Sequence, residues 1–144
     1  MGPFSILVVD NDDLAILGVQ RALVRAGHVA TVASASNGIE ALEILRSGRL
    51  STERLLVLTD VGMPGMSGIE LIHEIRMDPA LAAIPVVFLT ASTLATDRAA
   101  AYADHTAGYF MKPGTATSLD EIIRSVHAYW AQSELPAEVP PTTS

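Results

Sequence analysis

Along the chain, short unbroken apolar runs alternate with stretches in which apolar residues recur every three or four positions. The runs are Ile6 to Val9, Ala30 to Ala33, Leu55 to Leu58, Val86 to Leu89 and Tyr109 to Met111. Continuous runs of this length read as strands buried on both faces, and the helical period between them supplies the covering layers. The rhythm is that of repeated βα units around a parallel sheet, which places the chain in the α/β class.

The helical stretches predict particular buried faces. Leu14, Leu17, Ala22 and Leu23 form one, and Ile39, Leu42, Ile44 and Leu45 a second. Ile69, Leu71, Ile72 and Ile75 form a third, behind Ser67 as a helix N-cap. Residues Ala95 to Ala103 are Ala-rich with little apolar bulk, so the fourth helix is expected to be thinly anchored and to be the one that moves. A fifth helix is expected to open after Ser118, with Glu121 completing a capping box, and to run through Ile122, Ile123, Val126 and Trp130. Trp130 reads as the packing anchor of that helix. After it the periodicity stops and prolines accumulate, so the expected organisation is one domain over residues 1–132 and a flexible Pro-rich tail over 133–144.

Length and composition fit this reading. A chain of 144 residues makes one ordinary domain, and 49% hydrophobic residues with few aromatics suit a buried sheet covered by helices. Nine basic against sixteen acidic residues give a net charge of −7 with no Lys/Arg patch, which argues against nucleic acid as a direct partner. The absence of Cys removes disulfides, thiolate metal sites and cysteine nucleophiles. The opening MGPFSILVVD has no basic region and meets Asp10 after a very short apolar run, so it is neither a signal peptide nor a membrane span. A cytoplasmic protein is the expectation.

In an open parallel α/β sheet, ligands bind beyond the carboxyl ends of the strands. The residues there are Asp10, Asn11 and Asp12 after the first run, Asp60 after the third, Thr90 after the fourth and Lys112 after the fifth. Asp60 closes an apolar run and is followed at once by Gly62, Met63-Pro64, Gly65 and Gly68. A carboxylate in that position is costly unless it is paired or bound to a metal. Hard oxygen ligands suit Mg²⁺, Lys112 supplies a compensating charge, and a cis peptide at Pro113 would fix the direction of that lysine. Asp60 is thereby placed as a nucleophile for a phosphoryl group. The four histidines, His28, His73, His105 and His127, have no ligand spacing and read as surface residues.

The ordered set VVDND, LTDVGMPGMSG, VVFLTAS and GYFMKP resembles the receiver domain of two-component response regulators over about residues 4–131. That resemblance implies a flavodoxin-like, doubly wound five-stranded parallel sheet in the order 2-1-3-4-5, with helices on both faces. It implies that Asp60 accepts a phosphoryl group from a phosphohistidine on a sensor histidine kinase or hybrid kinase. Mg²⁺ (or Mn²⁺) would be held by Asp10, Asn11, Asp60 and the Gly62 carbonyl. Thr90 and Lys112 would bind phosphoryl oxygens, and Tyr109 would be an aromatic switch that turns inward. Gly62 and Ser92 stand where the family tunes self-dephosphorylation. The surface of the fourth helix, fifth strand and fifth helix would then present a different face to a partner.

The family usually has two adjacent acids after the first strand, and here the second is Asn11, which implies weaker metal affinity, with Asp12 near enough in sequence to compensate. With no DNA-binding or catalytic domain after the fifth helix, the chain looks like a single-domain receiver. The stretches SVHAYWAQSELP and RMDPALAAIPVVFLTAS are similar to the subgroup that works with bacterial phytochromes and hybrid kinases, several of whose members pair through that same surface or a C-terminal arm. A rival reading takes Asp10-x-Asp12 as the nucleophile and acid/base pair of a haloacid-dehalogenase-like phosphatase, although such enzymes are usually longer and carry a cap. A flavodoxin-like cofactor binder would need a Gly/Ser/Thr-rich phosphate loop where the acids stand.

Overall fold

The computed structural model describes residues 4–136. Five strands alternate with five helices: β1 (Ser5–Val9), α1 (Asp13–Ala26), β2 (Val32–Ala35), α2 (Gly38–Ser47), β3 (Leu55–Thr59), α3 (Gly68–Met77), β4 (Val86–Thr90), α4 (Ala95–Ala103), β5 (Gly108–Met111) and α5 (Ala116–Gln132). The strands form one parallel sheet in the order β2-β1-β3-β4-β5, as the resemblance implied.

The three inner strands are apolar except for Ser5, Thr59 and Thr90 at their ends, because helices cover both of their faces. On one face Leu7, Val57 and Phe88 pack against α2, α3 and Ala101 of α4. On the other, Ile6, Leu56, Leu58 and Val87 pack against α1 and α5. The register sets Val9 beside Thr59, Thr59 beside Phe88, and Thr90 beside Met111, so the strands end together along one edge.

Several local expectations shift. The second strand lies two residues later than expected, at Val32–Ala35, because an edge strand with one buried residue carries little apolar signal. The core face of α1 is Ile16, Val19, Ala22 and Leu23, while Leu14 and Leu17 point outward. On α2, Ile39 is exposed and Ala41, Leu42 and Leu45 are buried. Helix α5 begins at Ala116, capped by the Thr115 hydroxyl, which accepts from the Ser118 amide; Ser118 therefore lies inside the first turn rather than at the cap. Ser67 caps α3, in a full capping box with Glu70. All peptide bonds among the described residues are trans, so Lys112 is aimed without a cis bond at Pro113.

After α5 the chain turns back under the sheet. Leu135 is buried among the β1, α1 and α5 side chains, and the Pro136 carbonyl accepts from the Arg54 amide at 3.5 Å. The compact body thus extends past the boundary expected at 132, and the remainder of the expected tail, 137–144, lies outside the described residues. None of the described helices is long and apolar enough to cross a membrane.

Candidate functional site

β1 and β3 are neighbours in the sheet, yet their following helices cover opposite faces. This is the switch point at which open α/β sheets leave a crevice. Each strand delivers one carboxylate there. The Asp10 amide is fixed by the Ala35 carbonyl at 3.0 Å and the Asp60 amide by the Val9 carbonyl at 2.9 Å, so the β-ladder itself sets where both side chains start.

The carboxylates are then oriented through separate oxygens. Oδ1 of Asp10 accepts from the Asp12 amide at 2.9 Å, and Oδ1 of Asp60 accepts from the Val61 amide at 2.7 Å. The two Oδ2 atoms face one cation: Nζ of Lys112 donates to Asp10 at 2.7 Å and to Asp60 at 2.8 Å. Lys112 arrives from β5, its amide held by the Thr90 carbonyl at 2.8 Å. Burial works to lower the pKa of the Lys112 ammonium, but the hydrogen bonds and charges of Asp10 and Asp60 outweigh it and leave the pKa raised. Two carboxylates against one ammonium leave the cluster with an excess negative charge.

The backbone below Asp60 is locked from beneath. The Thr59 hydroxyl donates to the Asp60 carbonyl at 2.9 Å, and the Gly68 amide donates to the Val61 carbonyl at 2.8 Å. A Cβ at Gly68 would lie 1.9 Å from the Asp60 carbonyl oxygen, so only glycine allows the start of α3 to approach this closely. Thr59 and Gly68 were not read from the sequence as part of the site. The signal for Gly68 was present, as a glycine directly after an N-cap serine.

The other candidates gather unevenly around this cluster. Thr90 is buried at the end of β4, and its Oγ1 accepts from the Ser92 amide at 3.1 Å. Asn11 and Gly62 are exposed on the loops that carry the two carboxylates, and a Cβ at Gly62 would meet nothing within 4 Å. Asp12 is drawn away: its side chain caps α1 by accepting from the Leu14 amide at 2.9 Å, so it does not compensate for Asn11. The same bond takes the acid/base partner out of the phosphatase-like reading, for which nothing speaks. Tyr109 stacks at a tilt on Phe88, ring centroids 5.6 Å apart, with its hydroxyl buried and unpartnered among the described residues. Ser92 is half-buried, and its hydroxyl donates to Asp97 at 2.6 Å. His28, His73 and His105 are exposed, while His127 is half-buried with Nε2 2.9 Å from the His28 carbonyl oxygen.

Among the described residues no three His, Cys, Asp or Glu side chains cluster as a metal site. The available oxygen set is smaller: two carboxylates, the Asn11 amide oxygen and loop carbonyls. That donor chemistry, with its excess negative charge, fits a hard divalent cation that keeps several waters. A cavity of about 420 Å³ lined by Leu45, Arg46, Leu50 and Asp78 lies at the opposite edge of the sheet and shares no residue with the carboxylates.

The comparisons with known proteins agree with this geometry. The family model of the response regulator receiver domain matches residues 6–124. The probable methanogenesis regulatory protein FilR2 of Methanothrix harundinacea is 34% identical over 131 residues, spanning 89% of this chain and 84% of that protein. The phosphorylated cyanobacterial phytochrome response regulator RcpA superposes with a TM-score of 0.86 at 27% identity, covering 94% of this chain and all of that one. The Mn²⁺-bound response regulator Rcp1 gives a TM-score of 0.82 at 26% identity, with the same coverage. With its strand order, its lysine-bridged carboxylates and a family match over most of its length, this chain belongs to the response regulator receiver domains of two-component signal transduction.

Proposed function

We propose that the protein is a response regulator in which Asp60 accepts a phosphoryl group from a phosphohistidine on a sensor histidine kinase or hybrid kinase. The observation that carries this is the Lys112 bridge, 2.7 Å from Asp10 and 2.8 Å from Asp60, on the edge where the strands end. An Asp60 oxygen attacks phosphorus, the P–N bond to the kinase imidazole breaks, and the imidazole nitrogen leaves with its electron pair and takes up a proton.

Each neighbouring residue has a part in this reaction. The Val61 amide and Lys112 orient the Asp60 carboxylate before attack, so little reorganisation accompanies the transfer. Lys112 then pairs with one phosphoryl oxygen and Thr90 donates its hydroxyl to another. Asp10, Asn11, Asp60 and the Gly62 carbonyl would hold Mg²⁺ or Mn²⁺. The bound cation would neutralise charge on the transferring group. Asn11 in place of an acid lowers the charge of that set, and with Asp12 committed to α1 the divalent-ion requirement is raised.

The protein is a phosphoacceptor that catalyses its own modification and its own dephosphorylation, rather than an enzyme with a diffusible substrate. Gly62 and Ser92 flank the route of water to the phosphoaspartate. As Thr90 engages the phosphoryl group, Tyr109 and the surface of α4, β5 and α5 change packing for a downstream partner, or for a second copy that pairs there or through a C-terminal arm. A role in the cytoplasm, with neither nucleic acid nor membrane as a direct partner, fits the acidic composition.

Intact mass after incubation with acetyl phosphate and Mg²⁺ tests the reading. The expected result is one phosphoryl adduct that depends on the divalent ion and vanishes in Asp60→Asn. An adduct that persists in Asp60→Asn and vanishes in Asp10→Asn would overturn it.

A further inference from the structure

We propose that Asp97, on the first turn of α4, is a positioning residue for phosphoryl transfer: through the Ser92 hydroxyl it holds the turn after β4 and restrains Thr90. The inference rests on the receiver reading and names a control within that site.

Three hydrogen bonds carry it. The Ser92 hydroxyl donates to Oδ2 of Asp97 at 2.6 Å, a short, charge-assisted bond. Oγ of Ser92 also accepts from the Leu94 amide at 3.3 Å, and the Ser92 amide donates to Oγ1 of Thr90 at 3.1 Å. An ionised carboxylate only accepts, so the single Ser92 proton must point at Asp97, and the direction of the whole turn follows from that. The Ser92 amide occupies one lone pair of the Thr90 hydroxyl, whose own proton has no acceptor among the described residues and is free for a phosphoryl oxygen. For Thr90 to move toward Asp60, the turn held by Asp97 must follow or let go.

The rest of α4 does little to fix this end. Its N-cap, Leu94, is exposed and supplies no side-chain cap, and Ala101 is the one buried residue of the helix. Asp97 thus links the position of α4 to the hydroxyl that Thr90 presents to the site.

The test uses the full-length protein with Asp97→Ala, Asp97→Asn, Ser92→Ala and the double variant Ser92→Ala/Asp97→Ala. One readout is the rate of phosphoryl uptake from acetyl phosphate; the other, which needs no phosphate, is hydrogen exchange at the residue 92 amide. Asp97→Ala is expected to raise both by about three- to ten-fold. Asp97→Asn keeps an acceptor and is expected to stay within about two-fold of wild type. In the Ser92→Ala background, Asp97→Ala is expected to add nothing.

A purely structural role for Asp97, as a negative charge at the start of α4, predicts that Asn is as damaging as Ala and that the two substitutions add; either result would overturn the proposal. Unchanged exchange at Ser92 in Asp97→Ala would overturn it as well. If wild type takes up no phosphoryl group, the receiver reading fails and the effect on transfer fails with it. The amide exchange then decides alone whether Asp97 holds the turn.

Discussion

The loop after β3 and the turn after β4 leave the same edge of the sheet, but different kinds of contact hold them. Asp60 is fixed by backbone: its amide sits on Val9, its carbonyl takes the Thr59 hydroxyl, and Gly68 lies against it too closely for any Cβ. Ser92 is fixed at its outer side by a side-chain bond to a helix that buries only Ala101, and its amide in turn holds the Thr90 hydroxyl. The far end of α4 is tied back by Arg76, whose guanidinium donates to the carbonyls of Asp104 at 2.9 Å and His105 at 3.1 Å. So α4 is clamped at its end and loose at its start, next to the site. Chemistry that needs a fixed nucleophile occupies the rigid region, and the response to that chemistry occupies the region that can yield.

Gly68→Ala strikes the rigid side directly and should have the largest effect. The added methyl overlaps the Asp60 carbonyl, so α3 must withdraw and the Gly68 to Val61 bond must lengthen or break. The expected loss is about 3 kcal/mol, read as a lower urea midpoint, together with loss of phosphoryl uptake at Asp60. A neutral Gly68→Ala would mean that this loop is as yielding as the turn after β4, and the contrast would dissolve.

The buried strands were legible because both of their faces are covered, which forces apolar residues at every position of the runs from Leu55 to Leu58 and from Val86 to Leu89. β2 was misplaced for the opposite reason, since at an edge only Ala35 is buried. The start of α5 was ambiguous because Thr115 and Ser118 both offer capping hydroxyls, and only the backbone decides between them. Asp10, Asp60, Thr90 and Lys112 were readable because strand ends converge whatever the details of packing. Thr59, Gly68 and Asp97 were not, because their partners are defined by close approach in space: a carbonyl, a neighbouring turn, a serine five residues back.

Lys112→Met examines the bridge between the two regions, since Lys112 comes from the edge strand β5 and ends between the two carboxylates. Its removal leaves Asp10 and Asp60 facing each other without a cation. The side chain is 26% exposed, which screens the effect to about 1–2 kcal/mol in urea unfolding. The pKa of this lysine is raised above the ordinary 10.5, so its contribution is fully present below that value and is lost as pH rises through the higher folded-state pKa. The stability gap between wild type and Lys112→Met should therefore stay level from about pH 6 to about pH 9 and close at higher pH. A gap that closes already near neutrality would mean that Lys112 is not the charge that holds the carboxylates.

Tyr109→Phe addresses the yielding side and carries the smallest expected change, of opposite sign. The Tyr109 ring packs on Phe88, which is fully buried, while its hydroxyl is buried without a partner among the described residues. A buried hydroxyl left unpaired costs roughly 1–3 kcal/mol, part of which returns through an ordered water or a slight tilt of the ring. Phe keeps the ring contact and removes the cost, so the variant should gain about 1 kcal/mol, a rise of roughly 3 °C in Tm. A loss of stability would show that the hydroxyl has a hydrogen-bond partner in solution and that Tyr109 is as firmly seated as Asp60. A gain would mean that the inward position of Tyr109 carries a built-in penalty, and a side chain with such a penalty can be moved by a modest change at Thr90.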